Sequence, residues 1–145
     1  MYCSLADIYT AMDKQQIERY LKTGGDVGNE WELRLSSLIQ SASDEIDGYL
    51  RSRYTVPLAP VPAFIKDICI RIVRYKIVSR RGFGPDAPEQ VIVSDYKFCL
   101  KQLEKIQNGE IDIGFATTSG SMASEKILYD TPQRFFDTEF WRGYR

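Results

Sequence analysis

The side chains best suited to chemistry are three carboxylates, Asp44, Glu45 and Asp47, and a basic set that follows them, Lys66, Arg71, Arg74, Lys76, Arg80 and Arg81. Clustered carboxylates can exchange protons or hold a metal, and lysine and arginine can displace counterions from phosphates. Both uses need companions that this chain lacks. Histidine is absent, which removes the commonest general base, the usual metal ligand and the Ser-His and Cys-His nucleophile pairs. Cys3, Cys69 and Cys99 are odd in number and without CxxC spacing, so neither a zinc site nor a disulfide framework is expected. Cys69 and Cys99 fall on apolar faces and read as core residues, while Cys3 carries no signal of its own. A calcium loop would need alternating oxygen ligands and a distal bidentate glutamate, whereas the glycine-rich loop offers only Asp26, Asn29 and Glu30. No catalytic residue, metal or cofactor is expected, and an enzyme is the least favoured class.

The acidic cluster then reads as a solvated or ion-paired helix face. Arg71, Arg74 and Lys76 do not share one narrow stripe, and no helix-turn-helix turn is evident. Salt bridges within or between subunits are therefore favoured over DNA binding. The overall balance of 19 basic and 20 acidic residues gives a net charge of −1 and no global field toward nucleic acid or an anionic membrane. No apolar run approaches the roughly 20 residues that span a bilayer, and the N-terminus lacks a signal-peptide pattern, so a soluble, unexported protein is expected.

The elements that would carry these residues are helices. Ser4 with Asp7, and Asp13 with Gln16, mark two helix starts over Leu5 to Leu21. Thr23 to Asn29 is a glycine-rich loop. Asn29 with Glu32 suggests a capping box for a long helix whose apolar stripe runs Leu35, Leu38, Ile39, Ala42, Ile46, Tyr49 and Leu50. Gly48 within it marks either a close helix approach or a glycine that is simply tolerated. Pro57, Pro60 and Pro62 require an extended connection over Tyr54 to Val61. Ile65, Ile68, Cys69, Ile72, Val73 and Ile77 give the next helix, Ala63 to Arg80, a face broad enough for a central position. Asp86 with Glu89 caps a last long helix, striped by Ile92, Tyr96, Cys99, Leu100, Leu103 and Ile106 and stopped at Asn108-Gly109. The fold class expected is mainly α, a small bundle of three long and two short helices over residues 1–108.

Beyond Gly109 the character changes. Glu110 to Ser124 is rich in small polar residues, with one alternation, Ile111 to Phe115, that suggests a short strand. The end of the chain then gathers Tyr129, Phe135, Phe136, Phe140, Trp141 and Tyr144. A disordered tail would be poor in aromatics, so residues 109–145 read as an extended arm whose aromatic end binds a partner, in preference to folding back on its own bundle.

The run Ile46-Asp47-Gly48-Tyr49-Leu50-Arg51-Ser52-Arg53-Tyr54-Thr55-Val56-Pro57-Leu58, with Val61-Pro62-Ala63 and Arg74-Tyr75 after it, resembles the signature of a structural protein family of Mu-like phages and prophages. The opening Met1-Tyr2, and the close with Phe136 and Trp141-Arg142-Gly143-Tyr144, are similar to that family too, so the resemblance spans nearly the whole chain. Arg71 stands where the family commonly has an acidic residue. The family in turn resembles the helical head-tail connectors, or adaptors, of tailed bacteriophages. The resemblance implies a virion protein, made in the host cytoplasm, that closes a homo-oligomeric ring of about twelve copies beneath the portal in the neck. Its partners would be itself, the portal, and a stopper, tail-terminator or other neck protein, with packaged DNA nearby and no membrane. Asp44, Asp47, Arg53, Arg71 and Arg74 are candidate intersubunit or channel charges in such a ring. A tail-terminator or stopper is the nearest alternative, disfavoured by the predominance of helix, and a helical DNA-binding accessory protein is the alternative from another class.

Overall fold

A computed structural model describes residues 1–82 and 89–117. Among the described residues five helices follow one another: α1 (Leu5–Ala11), α2 (Lys14–Leu21), α3 (Glu30–Leu50), α4 (Ala63–Ser79) and α5 (Glu89–Asn108). The mainly α bundle of three long and two short helices expected from the apolar spacing is the fold observed.

The helix starts differ in how far their caps follow the sequence. At α1 the box forms as read: Ser4 Oγ accepts the Asp7 N–H at 3.3 Å, and Asp7 accepts the Ser4 N–H at 2.9 Å. Asp13 caps α2 by accepting the Gln15 N–H at 3.3 Å. The box expected at Asn29 is not made. Asn29 offers no side-chain cap, and its carbonyl accepts the Glu32 N–H at 2.9 Å instead. Asp86, the expected cap of α5, lies outside the described residues.

Helix α4 packs against each of the other four, as its broad apolar face requires. Ile65, Cys69, Ile72, Val73 and Ile77 of α4 are fully buried against Leu35, Ile39, Ile46 and Leu50 of α3 and Leu103 and Ile106 of α5. Full burial of each large aliphatic side chain stabilises the fold by about 1.5–3 kcal/mol, so this three-helix seam is the main source of stability. The short helices add Ile8, Ile17 and Leu21 at one end. A Cβ placed on Gly48 would meet nothing within 4 Å, so this glycine marks no close helix approach and is a tolerated one.

Helix α5 ends in a Schellman turn. Glu110 N–H reaches Lys105 O at 2.9 Å, Gly109 N–H reaches Ile106 O at 3.1 Å, and Gly109 has φ of +86°, a conformation natural to glycine. The chain then turns back over the bundle. No strand forms over Ile111 to Phe115. Asp112 Oδ1 accepts the Gly114 N–H at 2.8 Å and Gly114 has φ of +76°, a local turn that breaks the extended alternation. The β-type pairing in this segment is a single antiparallel bridge between Thr117 and Tyr54.

Candidate assembly surface

The charged residues sort into those consumed inside the chain and those left facing solvent. Glu45 is the hub of the first group. Lys76 Nζ sits 2.8 Å from one Glu45 oxygen and donates to Ser41 Oγ at 2.8 Å, while the Tyr96 hydroxyl donates to the other Glu45 oxygen at 2.8 Å. Tyr96 also stacks on Tyr75, with ring centroids 4.0 Å apart. One carboxylate thus ties α3 to both α4 and α5. Burial, reinforced by the bond to Glu45, pushes the Tyr96 hydroxyl well above its ordinary pKa.

Asp47 accepts a hydrogen bond from the Tyr2 hydroxyl, which itself accepts the Leu58 N–H at 3.2 Å. Tyr2 N–H donates to Ser43 Oγ at 3.1 Å, so the N-terminal segment is fastened to α3 and to the α3–α4 connection. Arg53 donates to Ile106 O at 3.2 Å, adding a cation to the C-terminal end of α5, and lies 5.7 Å from the Tyr54 ring centroid. Arg71 pairs with Asp67 at 2.8 Å and approaches Asp95 at 4.0 Å. Lys66 pairs with Asp7 at 2.7 Å, and Arg81 lies over the Tyr20 ring at 6.0 Å.

Of the five candidate intersubunit or channel charges, Asp47, Arg53 and Arg71 therefore have partners within the chain. Asp44 and Arg74 are exposed. Asp44 accepts from the Gln40 side chain at 2.7 Å, and Arg74 has no polar partner among the described residues. No two of the five pair with one another among the described residues. The aromatic candidates Tyr129, Phe135, Phe136, Phe140, Trp141 and Tyr144 lie outside the described residues.

The surface that remains unfinished is apolar. Pro62 and Phe64 at the start of α4, Gln102 on α5, and Ile111 to Gly114 enclose a groove of about 460 Å³. Phe98, one turn before Gln102, is 57% exposed, and Val91, two turns before Phe98 on the same face, is 62% exposed. Phe64 is 43% exposed at the groove edge. A second hollow of about 290 Å³ lies between Tyr54 to Ala59 and Phe115-Ala116, so the described chain reaches Thr117 alongside both.

Chemically, this groove offers shape and apolar area with few polar groups, which suits an aromatic or aliphatic plug from another segment. No group of three or more metal-ligating side chains occurs among the described residues, and no buried polar side-chain atom there lacks a hydrogen bond. No described helix is long and apolar enough to cross a membrane. Sequence reading missed the groove because Phe64 and Phe98 fall outside the apolar stripes that define α4 and α5. That displacement from the stripe was itself the available signal.

The family model described as Bacteriophage Mu, Gp36 matches residues 2–127. The chain is 33% identical over 94 residues to the Mu-like prophage FluMu protein gp36 of Haemophilus influenzae strain Rd, an alignment that covers 65% of this chain and 62% of that protein. It is also 28% identical over 91 residues to Gene product J of Escherichia phage Mu, covering 62% of this chain and 60% of that protein. The match thus spans somewhat under two thirds of these relatives' own lengths. The chain belongs to the bacteriophage Mu Gp36 family.

Proposed function

We propose that this member of the Mu Gp36 family is a virion structural protein, a head-tail connector that closes a ring beneath the portal and links capsid to tail. The bundle of residues 1–108 is the ring body, and residues 109–145 form the arm that joins it to a neighbouring subunit, the portal or the next neck component. The mechanism is assembly rather than turnover. Apolar burial between protomers supplies the association free energy, and charged rims set the register.

The observation that carries this reading is the α4–α5 groove. Among the described residues the polar interior is satisfied, while Phe64 at the groove and Phe98 and Val91 on α5 stay exposed. Phe64 in the groove, with Phe98 and Val91 exposed on α5, makes an apolar surface suited to a macromolecule. Under this reading Asp44 and Arg74, without charged partners among the described residues, are the charges available to a neighbouring subunit or to the channel. The basic set gives less support to a DNA-binding role, because Lys66, Arg71 and Lys76 are already neutralised within the chain.

The direct test mixes the purified full chain with assembled portal particles from the same phage and follows mass by light scattering. A portal complex carrying a ring's worth of copies is expected, and Phe98→Ser should weaken it without unfolding the chain. Failure to associate with the portal, together with salt-sensitive binding to duplex DNA, would instead favour the accessory DNA-binding alternative.

A further inference from the structure

Two of the three cysteines, unremarkable in sequence, meet in space. Cys3 Sγ lies 3.3 Å from Cys69 Sγ, both side chains are buried, and the two residues are 66 positions apart in the chain. A disulfide needs the sulfurs at about 2.05 Å, so a closure of little more than an ångström separates contact from bond. Both ends of the pair are held. Tyr2 is fastened by its N–H to Ser43, by its hydroxyl to Asp47, and by the Leu58 N–H it accepts. Ser4, on the other side of Cys3, is locked in the α1 capping box. Cys69 sits in the middle of α4, the helix that touches all the others. Held in this way, the thiols have little conformational freedom to lose on joining, the condition under which an intramolecular reaction has a high effective concentration.

We propose that Cys3 and Cys69 form a redox modification site, closing to an intrachain disulfide when the protein meets a peroxide-class oxidant and stapling the N-terminal segment to α4. The hydrogen bond between the two thiols favours ionisation of Cys69 and disfavours that of Cys3. The Cys69 thiolate attacks a peroxide oxygen; the S–O bond forms, the O–O bond breaks, and the departing hydroxide takes up the thiol proton as water. Cys3 then attacks the Cys69 sulfenic sulfur; the S–S bond forms, the S–O bond breaks, and hydroxide leaves with the Cys3 proton as a second water. Peroxide is reduced by two electrons and the dithiol is oxidised by two. Cys69 is fully buried and Cys3 6% exposed, so a small oxidant reaches the pair from the Cys3 side. Cys99 stands apart: burial pushes its thiol up to about 11, which leaves it a poor nucleophile.

The pair would stay reduced in a reducing cytoplasm and close in an oxidising medium. This chemistry is independent of the connector role, and its failure would leave that role untouched.

The test treats the reduced full chain with stoichiometric hydrogen peroxide, alkylates remaining thiols in denaturant, and maps tryptic peptides by mass spectrometry. The expected product links Met1–Lys14 to Asp67–Arg71, with Cys99 alkylated in Phe98–Lys101. Oxidation should raise the Tm by roughly 10 °C, and Cys3→Ala should abolish both the link and the oxidant-dependent rise, while Cys99→Ala keeps both. Recovery of all three cysteines alkylated after peroxide, a link involving Cys99, or a link only between chains would overturn the proposal. The mapping uses the wild-type chain, so it decides even if Cys3→Ala folds poorly.

Discussion

Helix α4 has two long neighbours, and the two sides are finished differently. Toward α3, the central side chains Leu35, Ile39, Ile46, Leu50, Ile65, Ile72 and Val73 are buried, and the polar groups close on one another through Glu45, Lys76, Tyr96, Ser43, Tyr2 and Asp47. Toward the outer edge of α5, Phe64 and Phe98 stand in solvent beside an open groove. The first side has the composition of a protein interior. The second has the apolar composition of an interface core. Under the proposed connector role the difference separates residues that hold the monomer together from residues available for assembly, and it can be broken by substitution.

The largest contrast sets Ile72→Ala against Phe98→Ser. Ile72 is 0% exposed, so truncation should cost about 2–5 kcal/mol of unfolding free energy in urea titration. Phe98→Ser should change it by less than about 0.5 kcal/mol. A large loss at Phe98 would mean that the groove belongs to the monomer's own core.

Next in size is Tyr2→Phe, which deprives Asp47 of a donor and the Leu58 N–H of an acceptor. A loss of about 1–3 kcal/mol is expected by the same titration. A neutral result would show that the N-terminal segment is not fastened to the seam in solution. Smaller, and opposite in sign, is Gly48→Ala. The position is helical, exposed and unobstructed, so the methyl group should stabilise α3 by about 0.5–1 kcal/mol, read as a rise in Tm.

The smallest effect depends on pH. The hydrogen bond from Lys66 holds the Asp7 carboxyl down at about 2, below its ordinary value of 3.8. A carboxyl depressed in the folded state contributes stability that is complete above the unfolded value and is lost as pH falls through the folded one. Lys66 is 44% exposed, so solvent screening limits the pair to at most about 0.5 kcal/mol. Wild type should be slightly more stable than Lys66→Gln near pH 5, and the difference should shrink by pH 2 and vanish only below it. Thermal melts at the two pH values measure it.

How much of this was legible in the sequence depends on the range of the interaction. Helices were readable because their causes are local: a three- and four-residue apolar period, the Ser4–Asp7 box, and Gly109 at a helix end. Local signals failed where a nearer competitor won. Asn29 lost its side-chain cap to a backbone turn, and Ile111 to Phe115 lost strand geometry to the Asp112–Gly114 turn. Long-range pairings left almost no trace. Nothing near Cys3 announces Cys69, and Glu45 looked like one more surface acid although it receives bonds from two other helices. The groove lay between these cases, because Phe64 and Phe98 were visible as apolar residues off the stripe but the Ile111 to Gly114 segment that walls the groove was not.

The central claim is that this chain builds a ring in the neck of a phage particle, and cryo-electron microscopy of the intact neck tests it most directly. The expected map holds copies of the five-helix body in a closed ring directly under the portal, with density from another segment filling the groove beside Phe64 and Phe98. Finding the chain elsewhere in the virion, or not in it at all, would contradict that claim.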